Sequence, residues 1–265
     1  MKKQDKRVEA EFSAKQIGER GHPDHLDPQR REKELELLGI AQAQDQLVLD
    51  TGCGTGTYGL VLARKGNRVV GIDISSDLVK VARNRADKER LSYFPLMGDI
   101  EKLPLEDESF DICVCGFVLH HLPSMRRTIT ELYRVLKPGG TIGLIEPNGS
   151  NPVARLSDAA RRAFLNDMCE GMGCCSANER DYPHKTYLKA LSEGGFRQIR
   201  FSSHKVARVE PKSRRGHTDS LAKKLLQSLL ACRELIVSLV AKVLPQPYKW
   251  PTLYITAMKP VGRRR

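Results

Sequence analysis

Residues 46–56 read QLVLDTGCGTG, a short apolar run that ends in Asp50 and opens into three closely spaced glycines. An apolar run of this length, bounded by turn-forming residues, is typical of a buried strand. Glycines let the backbone approach a ligand where any side chain would collide with it. A helix predicted from Tyr58 to about Lys65 would present its N-terminal N–H groups to that ligand. The segment therefore predicts a strand, a binding loop and a helix in succession.

The same alternation continues on both sides of this segment. Further strands are predicted at 68–73, 92–97, 110–115 and 141–146, with helices at 28–38, 58–65, 76–88 and 125–136. Asp27-Pro28 predicts the start of the first helix and Gly39 its end. Lys137-Pro-Gly-Gly140 predicts a sharp stop and turn. Strands this apolar cannot line a sheet with one face in water, so the fold class is α/β, a doubly wound parallel sheet.

The charge is unevenly distributed along the chain. Residues 1–150 carry 22 Lys and Arg against 23 Asp and Glu, whereas residues 151–265 carry 22 against 9. The net charge of +12 therefore belongs to the second half, which predicts an anionic partner there or a solvated face. Seven cysteines and the lack of a long apolar run favour a cytoplasmic protein with free thiols.

The glycine spacing restricts the class of ligand. Asp73 ends the second predicted strand, 21 residues after Gly52, where its carboxylate can accept from both hydroxyls of a ribose. A dinucleotide fold requires G-x-G-x-x-G, but the spacing here is G-x-G-x-G, which argues against a nicotinamide-dependent dehydrogenase. A phosphate-binding P-loop is also missing from the sequence. At the end of the third strand, Asp99 can accept from an adenine amino group and Ile100 can offer its backbone N–H.

The order of these motifs resembles that of class I S-adenosylmethionine-dependent methyltransferases, especially the small-molecule group that includes ubiquinone and menaquinone biosynthesis enzymes. The resemblance covers about residues 45–150 and rests on the glycines at 52–56, Asp73, Gly98-Asp99, Leu103-Pro104, Ser109-Phe-Asp111, Leu119-His-His-Leu122 and Leu136-Lys-Pro-Gly-Gly140. It implies S-adenosylmethionine as cofactor and a seven-stranded, mostly parallel Rossmann-like sheet whose last strand is antiparallel. The remaining strands are predicted at about 196–201 and 253–258.

The resemblance also implies roles for individual residues. Three glycines should line the methionine portion of the cofactor, namely Gly52, Gly54 and Gly56. Asp73 should hold the ribose, Ile74 should pack on the adenine, and Asp99 should bind the adenine amino group. Asp50 should orient the glycine-containing loop, and Phe117 should approach the methionine end.

A general base is needed only if the methyl acceptor keeps its proton until attack. The candidates are His120, His121, Glu146, Tyr182 and His184, and His121 is preferred because it follows the fourth strand. The alternative is that the two neighbouring histidines pack or cap a helix. Cys113 and Cys115 alternate on a buried strand, which predicts core packing rather than a nucleophile. Cys169, Cys174 and Cys175 lack a second pair at zinc spacing, so no metal is predicted.

Three parts are predicted along the chain: a flexible arm at 1–26, the cofactor-binding core at 27–150, and a C-terminal half at 151–265. The C-terminal half should hold cap helices at 151–180 and 187–193 and a basic amphipathic insertion at about 210–250. Within the insertion, residues 221–244 predict a helix with a broad apolar arc, preceded by Arg214-Arg215 and followed by Tyr248-Lys249-Trp250. Such an arc requires cover. The insertion could guide an apolar acceptor and touch an anionic membrane at 214–250, or act as a lid or a homodimer helix.

The sequence thus predicts a cytoplasmic enzyme that transfers a methyl group to a small-molecule or lipid-like acceptor, with association to a membrane surface left open. Two alternatives stay open as well. The basic half favours an RNA methyltransferase, although no nucleic-acid-binding module is recognisable. A non-catalytic scaffold that binds the cofactor would carry the same motifs.

Overall fold

The computed structural model describes residues 28–122, 124–156, 180–204, 235–236, 238–239, 241–246 and 248–262. Its helices are α1 (Pro28–Leu37), α2 (Gly59–Arg64), α3 (Ser76–Glu89), α4 (Met125–Val135) and α5 (His184–Glu193). Its strands are β1 (Leu47–Thr51), β2 (Arg68–Asp73), β3 (Tyr93–Met97), β4 (Phe110–Gly116), β5 (Leu136–Pro147), β6 (Arg197–Ser203) and β7 (Thr252–Met258). The predicted arm at 1–26, the cap beyond residue 156 and most of the 210–250 insertion lie outside the described residues.

The seven strands form one sheet in the order β3-β2-β1-β4-β5-β7-β6. Strands β1 to β5 run parallel, and β7 lies antiparallel between β5 and β6. This confirms the predicted doubly wound sheet and its antiparallel last strand. The chain builds outward from β1 in one direction through β3 and then crosses to β4, so a switch point lies between β1 and β4. Ligands of open α/β sheets bind at such a point, beyond the carboxyl ends of the strands, here called the carboxyl edge.

Alternating residues of the central strands supply the two apolar layers of the core. Val48 and Val114 pack with α1, α2 and α3 on one face of the sheet. Leu49 and Cys113 pack with α4 and α5 on the other. Cys113 and Cys115 are fully buried, which confirms their predicted core role. Burial also raises the pKa of the Cys115 thiol, so it stays protonated and cannot serve as a nucleophile.

The predicted turn at Lys137–Gly140 is wrong, because β5 already begins at Leu136. Lys259, just past β7, pairs with this stretch: its carbonyl accepts from Gly139 N at 2.8 Å and its N–H donates to Gly140 O at 2.9 Å. Its buried ammonium group donates to Leu136 O at 2.8 Å. A tertiary partner therefore extends the strand through residues that locally favour a turn.

The end of the predicted 221–244 helix also needs correction. Residues 235–236 and 238–239 are helical, but residues 241–243 form a turn in which Lys242 N donates to Leu239 O. Pro245 gives a physical reason, because a proline disfavours the helical conformation in the residue before it. Among the described residues, no helix combines the length and the apolar character needed to cross a bilayer.

Candidate functional site

The carboxyl edge brings together the segments that the sequence analysis singled out. Thr51 at the end of β1 lies beside Ile72 of β2 and Cys115 of β4, and Asp73 lies beside Met97 of β3. Because these strands are parallel and neighbouring, the loops that leave them surround one crevice. Two of these loops matter most: the glycine loop (residues 52–56) and the β4 loop (residues 117–122).

The glycine loop uses backbone conformations that only glycine adopts readily. Gly52, Gly54 and Gly56 have φ angles of +63°, +53° and +86°. A Cβ at Gly52 would lie 2.4 Å from a methyl group of Val118. At Gly54, by contrast, a Cβ would meet nothing within 4 Å. The loop is therefore closed by protein at Gly52 and open at Gly54.

Asp50 holds the helix that follows the glycine loop. Its Oδ2 accepts from Gly59 N, the first residue of α2, at 2.9 Å and from the Tyr93 hydroxyl at 3.2 Å. Burial raises the pKa of Asp50 to about 7, although both hydrogen bonds act in the opposite direction. The role that the family resemblance implied for Asp50, orienting the glycine loop, stays a prediction.

Asp73 links the end of β2 to the glycine loop. One carboxylate oxygen accepts from Gly54 N at 2.8 Å, and the other accepts from Ser75 N at 2.9 Å. The residue is 8% exposed, so only a small part of its surface is accessible from the crevice. The hydrogen bond to Gly54 fixes the distance between two groups that were predicted to contact different ends of one ligand.

The residues predicted to contact adenine follow β2 and β3 at the carboxyl edge. Ile74 is half-buried and Ile100 is buried. Asp99 is half-buried, and one of its carboxylate oxygens accepts from Glu101 N at 2.9 Å. This turn holds the Asp99 side chain at the carboxyl edge.

The β4 loop begins with a strained residue. Phe117 has a φ of +59°, and its N–H donates to Ile145 O at 2.7 Å. A non-glycine residue in this region costs about 1–3 kcal/mol, and such residues cluster at functional sites. Just before it, a Cβ at Gly116 would lie 2.1 Å from the ring of Tyr58. The sharp turn at Phe117 directs the following residues across the end of β5.

Glu146 of β5 organises this loop. It is fully buried; its Oε1 accepts from Val118 N at 3.1 Å and Leu119 N at 2.9 Å, and its Oε2 lies 2.8 Å from His120 Nδ1. His121 is half-buried, and its ring centroid lies 4.0 Å from that of His120. The structure therefore places the ring of His120 against an acidic group, the Glu146 carboxylate.

The other two predicted base candidates, Tyr182 and His184, lie later in the chain, in and just before α5. Tyr182 is half-buried against Tyr187, with ring centroids 6.0 Å apart. His184 is buried and its Nδ1 lies 2.7 Å from Ser150 Oγ, in a separate cluster stacked on Phe201. The three cysteines at 169, 174 and 175 lie outside the described residues. Within the described ranges, no group of His, Cys, Asp and Glu side chains could hold a metal ion.

Two residues of the site escaped the sequence analysis. Tyr93 lies under the glycine loop, where a Cβ on Gly59 or Gly71 would come within 2.6 Å of its ring or hydroxyl. Tyr58 follows the loop, and its hydroxyl donates to the buried Glu34 of α1 at 2.8 Å. The only signal in the sequence was the presence of small residues, Gly59 and Gly71, at positions where an apolar side chain would be expected.

Comparison with known proteins agrees with this arrangement. Residues 49–144 match the methyltransferase domain family. A demethylmenaquinone methyltransferase from Listeria welshimeri is 32% identical over 66% of this chain and 79% of that protein. A malonyl-[acyl-carrier protein] O-methyltransferase from Serratia marcescens is 35% identical over 46% of this chain, and the match spans about half of that relative, 47% of its length.

Solved structures show the same fold. A methyltransferase from a complex with the Haloferax volcanii Trm112 methyltransferase activator aligns with a TM-score of 0.64 over 94% of this chain and 98% of that chain, at 21% identity. The chain therefore belongs to the S-adenosylmethionine-dependent methyltransferases. S-adenosylmethionine is its methyl donor, as the resemblance implied.

The residues present fit this donor. The cradle at Gly54 is open where a side chain would fill it, and the buried Asp73 carboxylate lies directly beside that opening. When bound, the donor supplies a methyl group on a positively charged sulfur. Which of the residues Asp50, Gly52, Gly54, Gly56, Asp73, Ile74, Asp99, Ile100 and Phe117 touch it stays a prediction.

Proposed function

We propose that this methyltransferase modifies a small, lipid-like acceptor that approaches the carboxyl edge from an apolar surface. The two relatives named above support a small or carrier-bound acceptor, because their names state demethylmenaquinone and malonyl-acyl carrier protein. The demethylmenaquinone relative covers far more of the chain, and it favours the more apolar of these two acceptors.

The observation that carries the proposal is a group of exposed apolar side chains. Leu235, Ile236, Leu239 and Val243 are 61%, 49%, 52% and 85% exposed. Apolar side chains gathered in this way commonly mark a surface that binds a ligand, a partner or a membrane. We call these four residues the apolar ridge.

The chain that follows the apolar ridge is bound to the carboxyl edge. Asn148, two residues after Glu146, donates from its side-chain amide to Trp250 O at 2.7 Å. Asn151 donates in the same way to Tyr248 O at 2.8 Å. The ridge therefore joins a segment tied to the end of β5, where the β4 loop lies. An apolar molecule held along the ridge would have a short path to the methyl group.

The basic charge supports an anionic membrane as the source of such an acceptor. Lys242 lies between two residues of the ridge and Lys249 follows it, and the second half of the chain carries a net +13. Amphipathic surfaces of this composition bind anionic lipid through apolar burial and electrostatic attraction together. In this proposal the enzyme works in the cytoplasm and docks at a membrane surface.

The experiment supplies methyl-labelled S-adenosylmethionine together with one of four acceptors. These are a polyprenylated demethylmenaquinol in anionic vesicles, the same ring without its tail, malonyl-acyl carrier protein, and RNA. We expect the labelled methyl on the polyprenylated acceptor, and a rate at least tenfold lower without the tail. Labelling of RNA alone, or of none of the four, would overturn the proposal.

Two matched substitutions test whether the acceptor approaches the site along the apolar ridge. Leu239→Glu places a charge in the apolar ridge, whereas Val261→Glu places one on an exposed valine, 74% exposed, beside Gly139 at the opposite edge of the sheet. We expect Leu239→Glu to raise KM for the vesicle-borne acceptor about tenfold and Val261→Glu to leave it unchanged. Equal effects would mean that the ridge does not guide the acceptor.

A further inference from the structure

The β4 loop contains a histidine whose ring the fold holds against a buried carboxyl group. Both oxygens of the buried Glu146 have partners: Oε1 accepts from two backbone N–H groups, and Oε2 lies 2.8 Å from the Nδ1 of His120. An ionised carboxylate can only accept hydrogen bonds, so with Glu146 ionised the Nδ1 of His120 carries the proton in that contact. A neutral imidazole with its proton on Nδ1 has a lone pair on Nε2, on the other side of the ring.

This ring lies close to the predicted methionine end of the donor site. Val118, two residues earlier in the β4 loop, covers Gly52 of the glycine loop so closely that a Cβ there would contact it at 2.4 Å. His120 itself is 3% exposed, so water has little access to its ring. Nε2 is the ring nitrogen of His120 that does not face Glu146.

A second polar group is buried in the same place. Tyr187 of α5 is 1% exposed, and its hydroxyl has no hydrogen-bond partner in the described part of the chain. Burial, followed by the nearby Glu146 carboxylate, raises the pKa of Tyr187, which keeps the hydroxyl protonated. Buried polar groups without partners are rare, and each requires an explanation. A polar ligand atom between α5 and the β4 loop would provide one.

We infer that His120, oriented by Glu146, is the general base that removes the acceptor's proton during methyl transfer. This rests on the proposed function, because an acceptor with an acidic O–H, N–H or C–H is required. The proton moves from the acceptor to His120 Nε2. The electron pair left on the acceptor forms the new bond to the methyl carbon, and the pair of the old bond stays with sulfur. One positive charge passes from sulfur to the imidazolium, which the Glu146 carboxylate stabilises.

Other titratable groups face this pair and bear on its pH profile. They are His121 on the same turn, Cys115 of β4 and Tyr187 of α5, and Asp181 and Tyr182 lie in turn near Tyr187. The thiol and the Tyr187 phenol are buried and have raised pKa values, so neither is ionised near neutrality.

Two substitutions test the pair through different atoms. His120→Asn keeps a donor for Glu146 but removes the base, and we expect kcat to fall by about 10²–10⁴-fold. Glu146→Gln keeps an acceptor for the N–H groups of the loop but turns an amide N–H₂ toward Nδ1. The proton then moves to Nε2, and we expect a comparable loss because the tautomer is wrong. His204→Gln, at the end of β6, is the control and should keep wild-type activity.

Readouts other than the rate separate catalysis from folding. Calorimetry with S-adenosylhomocysteine should give unchanged affinity in both variants, and added imidazole should restore part of the activity of a His120→Gly enzyme. Nitrogen NMR of ¹⁵N-histidine protein should show His120 with a bare Nε2, changed to a bare Nδ1 in Glu146→Gln. This spectrum needs no acceptor, so it is independent of the proposed function.

The outcomes are distinct. Wild-type enzyme that methylates none of the acceptors overturns the proposed function, whatever the NMR shows. If an acceptor is methylated, a His120→Asn enzyme within fivefold of wild type overturns the base assignment, as does a wild-type spectrum with the proton on Nε2. A large loss in His121→Asn together with an active His120→Asn would assign the base to His121 instead.

Discussion

At the residue scale, Asp50 shows how a buried acid couples the site to stability. It is 1% exposed at the end of β1, and burial raises its pKa to about 7. An aspartate in the unfolded chain has a pKa of about 3.9. Between these two values the folded protein keeps a proton that the unfolded chain has lost. The free energy of unfolding therefore falls as the pH rises through this window, by on the order of 4 kcal/mol.

Asp50→Asn should remove this dependence. The amide oxygen can still accept from Gly59 N, but the side chain no longer titrates. We expect the difference in the free energy of unfolding, wild type minus variant, to fall steadily from pH 4 to pH 7 and to stay level above it. Urea unfolding at half-unit pH steps measures both curves. Curves that run parallel across this range would show that Asp50 titrates normally in the folded protein.

Residues of this kind also mark where the sequence was insufficient. Asp50, Asp73 and Asp99 were singled out because each ends a predicted strand, and the structure places all three at the carboxyl edge. Glu146 ends a strand too, but its contacts to the β4 loop depend on a turn at Phe117 that no local pattern indicated. Which neighbouring side chain faces Glu146 depended on those contacts, so the sequence could not predict the contact to His120.

At the element scale, a glycine of the glycine loop can be compared with one outside it, to distinguish backbone strain from blocked ligand access. Gly54 and Gly39 have similar φ angles, +53° and +70°, and a Cβ on either would meet no protein atom within 4 Å. Gly39 ends α1, whereas Gly54 is bound to Asp73 at the crevice. The ligand is expected to occupy the space beside Gly54, whereas no ligand is expected beside Gly39.

Alanine at each position provides a matched pair. Both Gly54→Ala and Gly39→Ala should lower the free energy of unfolding by about 1–2 kcal/mol, because alanine is strained at positive φ. Only Gly54→Ala should weaken S-adenosylhomocysteine binding, and we expect a loss of at least tenfold by calorimetry. Wild-type affinity in Gly54→Ala would mean that the donor does not enter this cradle.

Other elements show where local patterns and tertiary structure disagree. The strands at 68–73 and 110–115 were predicted almost to the residue, because their apolar runs end at clear turn signals. Lys137–Gly140 carries an equally clear turn signal but lies in β5. Its partner Lys259 is far away in sequence, and local propensity contains no information about such a contact.

At the scale of the whole molecule, charge and apolar surface act together in the second half of the chain. The net +13 there accompanies the apolar ridge. Vesicles with about 30% anionic lipid should bind the protein in sedimentation, and binding should weaken severalfold between 50 and 300 mM salt, because salt screens exposed charges over about 10 Å at 0.1 M. Leu239→Glu should reduce binding at every salt concentration. Equal binding to neutral vesicles would contradict the proposal that basic charge attracts the protein to the membrane.

The sheet order has a consequence for how this protein is made. Strand β7 occupies an interior position between β5 and β6, yet residues 148–251 leave the ribosome before it. Until then β5 has an open edge of apolar residues, and such edges invite pairing with other chains. A ribosome that stalls between β6 and β7 would release an aggregation-prone fragment with the glycine loop complete. Synthesis of this enzyme should therefore depend on chaperones late in translation rather than early.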